Sequence, residues 1–255
     1  MNSTNKTVLI TGGGSRIGFQ TAKLFSGKGS KVIIVGRNEA KLQAAAKELN
    51  NVDYFVADVT NEADVDRIVE HIQSNYPSLD VLINNAAAKF VNRVGSGAAI
   101  RLEAAEEMNT NYISVINLTE RLLPILKQQQ ESAVINITTA VALVPSTIIP
   151  TYSASKAALR SYTQALRFTL ELDGVKNVKV FEVLPPLVNT ELSKDNGGER
   201  GIAPEEVAND LLAGLENDNL EVRVSVTEGF YQAFFGNSAN AIVALYKAER
   251  GESFN

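Results

Sequence analysis

The sequence predicts an α/β domain, a doubly wound parallel sheet of about seven strands with helices on both faces. Short, unbroken, β-rich apolar runs recur from end to end, as strands buried on both faces require. Between them, apolar residues fall at helical spacing, the pattern of crossover helices. No linker, internal repeat or low-complexity tract interrupts the 255 residues, so one domain spanning 1–255 is the better count.

Each element follows in order. Val8 to Ile10 is a strand, followed by Ile17, Thr21, Leu24 and Phe25 on a helix face. Val32 to Val35 leads to Leu42, Ala45, Ala46 and Leu49, and Tyr54 to Ala57 leads to Val65, Ile68, Val69 and Ile72. Leu79 to Ile83 runs through a loop into a long helix ending near Lys127. Val134 to Ile137 precedes a helix from about Tyr152 to Leu172. Val178 to Leu184, a polar loop, a helix from about Pro204 and a strand at Val222 to Val226 complete the set. Two helices look too apolar for surface elements: Ile113 to Leu126, and the helix that sets Ala154, Ala157, Ala158, Ser161 and Ala165 together. A second subunit covering them predicts a homodimer or homotetramer.

Composition removes several classes of chemistry. With 24 Lys plus Arg against 29 Asp plus Glu, the chain carries a formal charge of −5 and no basic run, which argues against nucleic acid or an anionic membrane as partner. No cysteine is present, so disulfides, thiolate nucleophiles and cysteine-ligated metals drop out. The single histidine, His71, rules out a multi-histidine metal site, and no metal is expected. The polar start, Met1 to Lys6, is neither a signal peptide nor a membrane span, and the expected location is cytoplasmic.

After the first strand, Thr11-Gly12-Gly13-Gly14-Ser15-Arg16-Ile17-Gly18 opens a helix. Glycines there let the backbone turn tightly against a pyrophosphate that the helix N-terminus stabilises. The second strand ends Val35-Gly36-Arg37-Asn38, with no acid to bond a ribose and with Arg37 suited to grip a 2′-phosphate. Arg16 and Lys41 add positive charge, so NADP (as NADPH) is the expected cofactor. Further on, Tyr152-Ser153-Ala154-Ser155-Lys156 sets a phenol and an ammonium four residues apart on one helix face. A nearby cation favours the phenolate, which suits proton exchange with an alcohol oxygen.

Together these motifs resemble those of the single-domain short-chain dehydrogenase/reductase family, with its TGxxxGxG loop, NNAG segment, helix Asn, strand-end hydroxyl and YxxxK. The resemblance spans essentially the whole chain and implies a Rossmann-type fold. It implies Tyr152 as general acid-base, Lys156 as holder of the nicotinamide ribose, and Asn111 as anchor of a proton-relay water. Asn84-Asn85-Ala86-Ala87 would line the cofactor, Asp58 with Val59 would face the adenine, and Pro185, Val188 and Thr190 would cover the nicotinamide. Four positions depart from the pattern: Thr139 for the usual Ser, Arg16 for the middle glycine, Ala87 for the last glycine of NNAG, and Pro186 for the glycine of Pro-Gly. The Pro185-Pro186 pair and the Glu221 to Val226 ending resemble the DltE-like oxidoreductases.

The segment of about 187–203, polar and holding Gly197, Gly198 and Gly201, is expected to be a lid over the substrate. Phe90, Leu143, Val144, Ile149, Leu187 and Leu192 are the expected substrate contacts, nearly all apolar, which suits a small apolar carbonyl or alcohol. Apart from Lys89, Arg93 and Lys194, which stay open, no Arg or Lys is placed to pair a substrate carboxylate or phosphate, so an apolar ketone or aldehyde fits better than a charged metabolite. The expected activity is NADPH-dependent reduction of a ketone or aldehyde. The alternatives are an NAD(P)-binding regulatory or scaffold protein with weak catalysis, and an NAD-dependent alcohol dehydrogenase.

Overall fold

In the computed structural model the described residues are 1–236 without 96 and 98, so residues 237–255 of the expected domain lie outside them. Seven strands form one sheet: β1 (Thr7–Thr11), β2 (Lys31–Gly36), β3 (Val52–Val56), β4 (Val81–Asn84), β5 (Ser132–Ile137), β6 (Val178–Leu184) and β7 (Glu221–Arg223). Their spatial order is β3-β2-β1-β4-β5-β6-β7, and every pairing is parallel. The order reverses direction between β1 and β4, which opens a crevice beyond their carboxyl ends. The last strand closes at Arg223, short of the expected Val226.

The inner strand runs are mostly apolar because both faces are covered. Val8 and Ile10 point into one core with Phe25, Leu42 and Leu211, while Leu9 between them points into the other with Ile68, Leu122 and Leu166. The first layer holds α1 (Arg16–Gly27), α2 (Glu39–Glu48) and α7 (Pro204–Glu216). The second holds α3 (Glu62–Asn75), α5 (Ser114–Leu126) and α6 (Pro150–Leu172). Asn38 and Asn61 start α2 and α3 by accepting from Lys41 N at 3.0 Å and Asp64 N at 3.1 Å. Pro150 and Pro204 stand in the first turns of α6 and α7, where a missing N–H leaves no bond unmade.

The expected long helix before Lys127 is three pieces: α4 (Ala99–Met108), a π-helical turn at Asn109–Ile113, and α5. The wider turn carries Asn111 inward to full burial. Among the described residues no helix is long and apolar enough to cross a membrane.

Candidate active site

A cavity of about 770 Å³ lies beyond the carboxyl ends of the strands. One end is the glycine turn. Gly12 has φ +65°, and a Cβ there would stand 2.9 Å from Asn85 Nδ2; one on Gly18 would stand 2.4 Å from Gly12 O. Asn85 fixes this turn by donating to Thr11 O (2.9 Å) and Gly12 O (3.2 Å), while Thr11 Oγ1 accepts from Asn85 N and Ala86 N, each at 3.0 Å. Arg16 has φ +57°, so it takes the left-handed conformation the usual glycine would supply. Its guanidinium is 2.9 Å from Glu191, whose carboxylate also lies 3.4 Å from Lys41 Nζ. Those two cations hold the Glu191 carboxyl below its ordinary range. Arg37 stands 76% exposed at the same mouth, 3.6 Å from Asp58.

The other end holds Thr139, Tyr152 and Lys156. Pro150 launches α6 so that its first turns present Tyr152 and Lys156 toward β5, where Lys156 Nζ donates to Ile137 O at 2.8 Å. Thr139 Oγ1 donates to Pro185 O at 3.2 Å and accepts from Val141 N at 3.4 Å. Burial and the charge of Glu107 push the Tyr152 phenol above its ordinary value, and burial pushes Lys156 down to about 7. Burial therefore outweighs the expected lowering of the phenol by Lys156, whose Nζ is 5.9 Å from the Tyr152 ring centroid.

Of the residues expected to touch cofactor, Gly12, Ser15, Arg16, Ile17, Arg37, Asn85, Ala86, Ala87, Pro185, Val188 and Thr190 line the cavity with Tyr152 and Lys156. Gly14, Gly18, Asn38, Asp58 and Val59 do not. Gly14 packs against Leu42, Gly18 lies under Gly12, Asn38 caps α2, Asp58 holds Thr60, and Val59 is core. Asn111 is also set back: its amide donates to Ala88 O (2.8 Å) and Ser155 Oγ (2.9 Å), and its oxygen accepts from Ala88 N (2.9 Å). Both donors are used, so its side chain clamps the loop after β4 to α6.

Among the expected substrate contacts, Ile149, Leu187 and Leu192 reach the cavity; Phe90, Leu143 and Val144 do not. Leu143 and Val144 pack with Leu184, Tyr231 and Phe234, and the Phe90 amide is turned to Glu107 Oε1 at 2.7 Å. Lys89, Val141, Ile148, Asn196 and Phe230 take their places. Lys89 stands four residues after Asn85, just past the Asn84 to Ala87 segment, which was a usable signal. Glu107 sits in the acidic run Glu103, Glu106 and Glu107, where nothing separated a fully buried carboxyl from a solvated one. The lid segment is pinned at its base by Asn189 N to Ile202 O (2.8 Å) and Ile202 N to Leu187 O (3.0 Å). Two short 3₁₀ turns, Glu191–Asn196 and Gly198–Arg200, form its body. His71 is elsewhere, stacked on Phe55 at 4.8 Å and bonded to Asn75. Among the described residues no cluster of three or more His, Asp or Glu is placed to hold a metal.

The geometry fits a dinucleotide: a glycine cradle at a helix start, three cations beside it, and a buried phenol at the far end of one cavity. Residues 6–201 match the short chain dehydrogenase family. The chain belongs to that family and is an oxidoreductase of its type. It is 35% identical over 238 residues to the uncharacterized oxidoreductase DltE of Bacillus subtilis, covering 91% of this chain and 93% of the relative. The crystal structure of a short chain dehydrogenase from Burkholderia cenocepacia, in complex with NADP, superposes with a TM-score of 0.85 at 26% identity, covering 96% of this chain and 99% of that one. A 3-ketoacyl-(acyl-carrier-protein) reductase from Brucella melitensis, complexed with NADH, gives 0.75 at 29% identity, covering 84% and 91%.

Proposed function

We propose that this oxidoreductase uses NADPH to reduce a ketone or aldehyde to an alcohol. The observation that carries the reading is one cavity lined at one end by Gly12, Arg16, Arg37 and Lys41 and at the other by Thr139, Tyr152 and Lys156. When bound there, the nicotinamide supplies the hydride. Tyr152 supplies the proton: burial and Glu107 keep its phenol in the protonated, donating form. Thr139 turns its hydroxyl from Pro185 O, a long 3.2 Å bond, to the substrate oxygen and polarises it. Lys156, held from Ile137 O, steadies the phenolate left behind. Arg37 is exposed and loosely paired, free to take a 2′-phosphate in a fork that a carboxylate at its position would repel. The same reading makes the working particle a homodimer or homotetramer and its setting the cytoplasm.

Calorimetric titration with NADPH and NADH at one fixed salt tests the coenzyme. NADPH is expected to bind more tightly, and Arg37→Asp to weaken NADPH while sparing NADH; equal loss for both would overturn the phosphate role of Arg37. Tyr152→Phe is expected to cut turnover about 10²–10⁴-fold with NADPH binding retained, as loss of a general acid does. Near-normal turnover by that variant would remove the mechanism.

A further inference from the structure

Lys89 is an ammonium placed in the cavity with no carboxylate of the described residues within 4.0 Å. Both of its neighbours are fixed: Ala88 by Asn111, at 2.9 and 2.8 Å, and Phe90 by Glu107 Oε1, at 2.7 Å. Its side chain lines the cavity and donates to Asn196 Oδ1 of the lid at 2.6 Å. Among the described residues, the other half-buried lysines, Lys6, Lys28, Lys31 and Lys179, each have a carboxylate within 4.0 Å. Lys89 has none, and shares that condition with the fully buried Lys156 of the same cavity. A partly desolvated ammonium bonded to a neutral carboxamide retains two donors for an incoming anion.

We propose that the physiological substrate is an oxo acid, whose carboxylate is held by Lys89 while its carbonyl lies at Tyr152 and Thr139. This rests on the reductase reading of the site. Ile148, Ile149, Leu192 and Phe230 line the same cavity and suit a hydrocarbon stretch between the two groups. A carboxylate fits better than a phosphate. Glu107 and Asp195 both act on the Lys89 charge, so a dianion would meet two acids where a monoanion is balanced by one ammonium. In the reaction the carbonyl carbon gains a hydride and the oxygen gains the Tyr152 proton. The C=O π bond becomes the C–H and O–H bonds of a hydroxy acid, NADPH is oxidised, and the carboxylate is unchanged.

The test pairs oxo acids of increasing chain length with their methyl esters, using NADPH and the wild-type, Lys89→Met and Lys89→Arg proteins. A charge-assisted bond corresponds to about ten- to a hundredfold in kcat/KM. The acid-to-ester ratio is expected to reach that range in the wild type, to fall to near unity in Lys89→Met, and to recover largely in Lys89→Arg. Direct calorimetric binding of the matching hydroxy acids, with no turnover involved, is expected to follow the same order. Reduction of acids and esters alike, with Lys89→Met unchanged in that ratio, overturns the Lys89 inference and leaves the reductase standing. Absence of any carbonyl reduction removes the reductase reading, and the hydroxy acid titration then decides Lys89 on its own. Preference for phosphorylated carbonyls over oxo acids would overturn the choice of carboxylate.

Discussion

Lys156 shows how one buried side chain can cost stability. Its ammonium is buried, its hydrogen bond goes to the Ile137 carbonyl, and burial pushes its value down to about 7 from the ordinary 10.5. Between those two values the unfolded chain binds more protons than the folded one, so stability rises with pH across that window and is lost as pH falls toward 7. Replacing Lys156 by Met removes the titrating group. The wild type is therefore expected to gain stability relative to Lys156→Met when urea unfolding is repeated at pH 7, 8 and 9. A difference that stays flat across those three values would show that Lys156 keeps its proton in the fold. Arg16 carries a related cost: a non-glycine residue in the left-handed region loses about 1–2 kcal/mol. Its guanidinium stands beside Lys41 at the cavity mouth, where the two cations share Glu191. At this scale the sequence was legible wherever chemistry shows in the residue type: Tyr152, Lys156, Arg37 and the glycine turn line one cavity as expected. It was not legible at Glu107 and Glu191, ordinary acids set apart by burial in one case and by a contact distant in sequence, to Arg16, in the other.

Among the elements, the join of α6 to β6 and β7 rests on a buried ion pair that the strand pattern concealed. Glu182 interrupts the apolar run of β6, yet it is fully buried. It accepts from Arg160 Nη1 at 2.5 Å and from Thr138 Oγ1 at 2.7 Å, and Arg160 reaches Glu221 of β7 at 3.2 Å. Burial still pushes the Glu182 carboxyl upward despite the guanidinium. Arg160→Met strands that carboxylate and is expected to cost about 3–5 kcal/mol at pH 7. Glu182 would then be raised further, so the loss should shrink as pH falls toward 5.5 and the carboxyl protonates. Adding Glu182→Leu should recover most of the loss, because removing both charges leaves neither buried alone. Denaturant unfolding of the single and double variants at both pH values checks this; a loss under 1 kcal/mol at pH 7 would mean solvent reaches Glu182. Element positions were readable from apolar runs because the inner strands are buried on both sides. The π turn at Asn109–Ile113 was not, since it opens on three polar residues, Asn109, Thr110 and Asn111, with no apolar spacing in which an added residue would show.

For the molecule as a whole, the helix that carries Tyr152 and Lys156 into the cavity also has an uncovered side. The inner face of α6 carries Tyr152, Lys156, Leu159, Thr163 and Leu166, all buried. Its outer face shows Ala154, Ala157, Ser161, Ala165, Phe168 and Leu172 exposed, a stripe without a charge, with Phe168 57% and Leu172 88% accessible. Ile113, where the π turn meets α5, adds another apolar side chain at 52%. Small residues let a second helix approach closely, and a helix of this length can supply much of the roughly 800 Å² per partner of a standard interface. If a second copy of the chain covers this stripe, Ala165→Glu with Phe168→Glu should convert a wild-type dimer or tetramer into a monomer in sedimentation analysis. The substituted positions face away from the cavity, so NADPH affinity should change less than turnover, because only the stiffness of the helix behind Tyr152 and Lys156 is lost. A monomeric wild type, or a double variant that sediments as the wild type does, would mean that α6 is not the interface. The expected subunit contact would then have to be sought away from the catalytic helix.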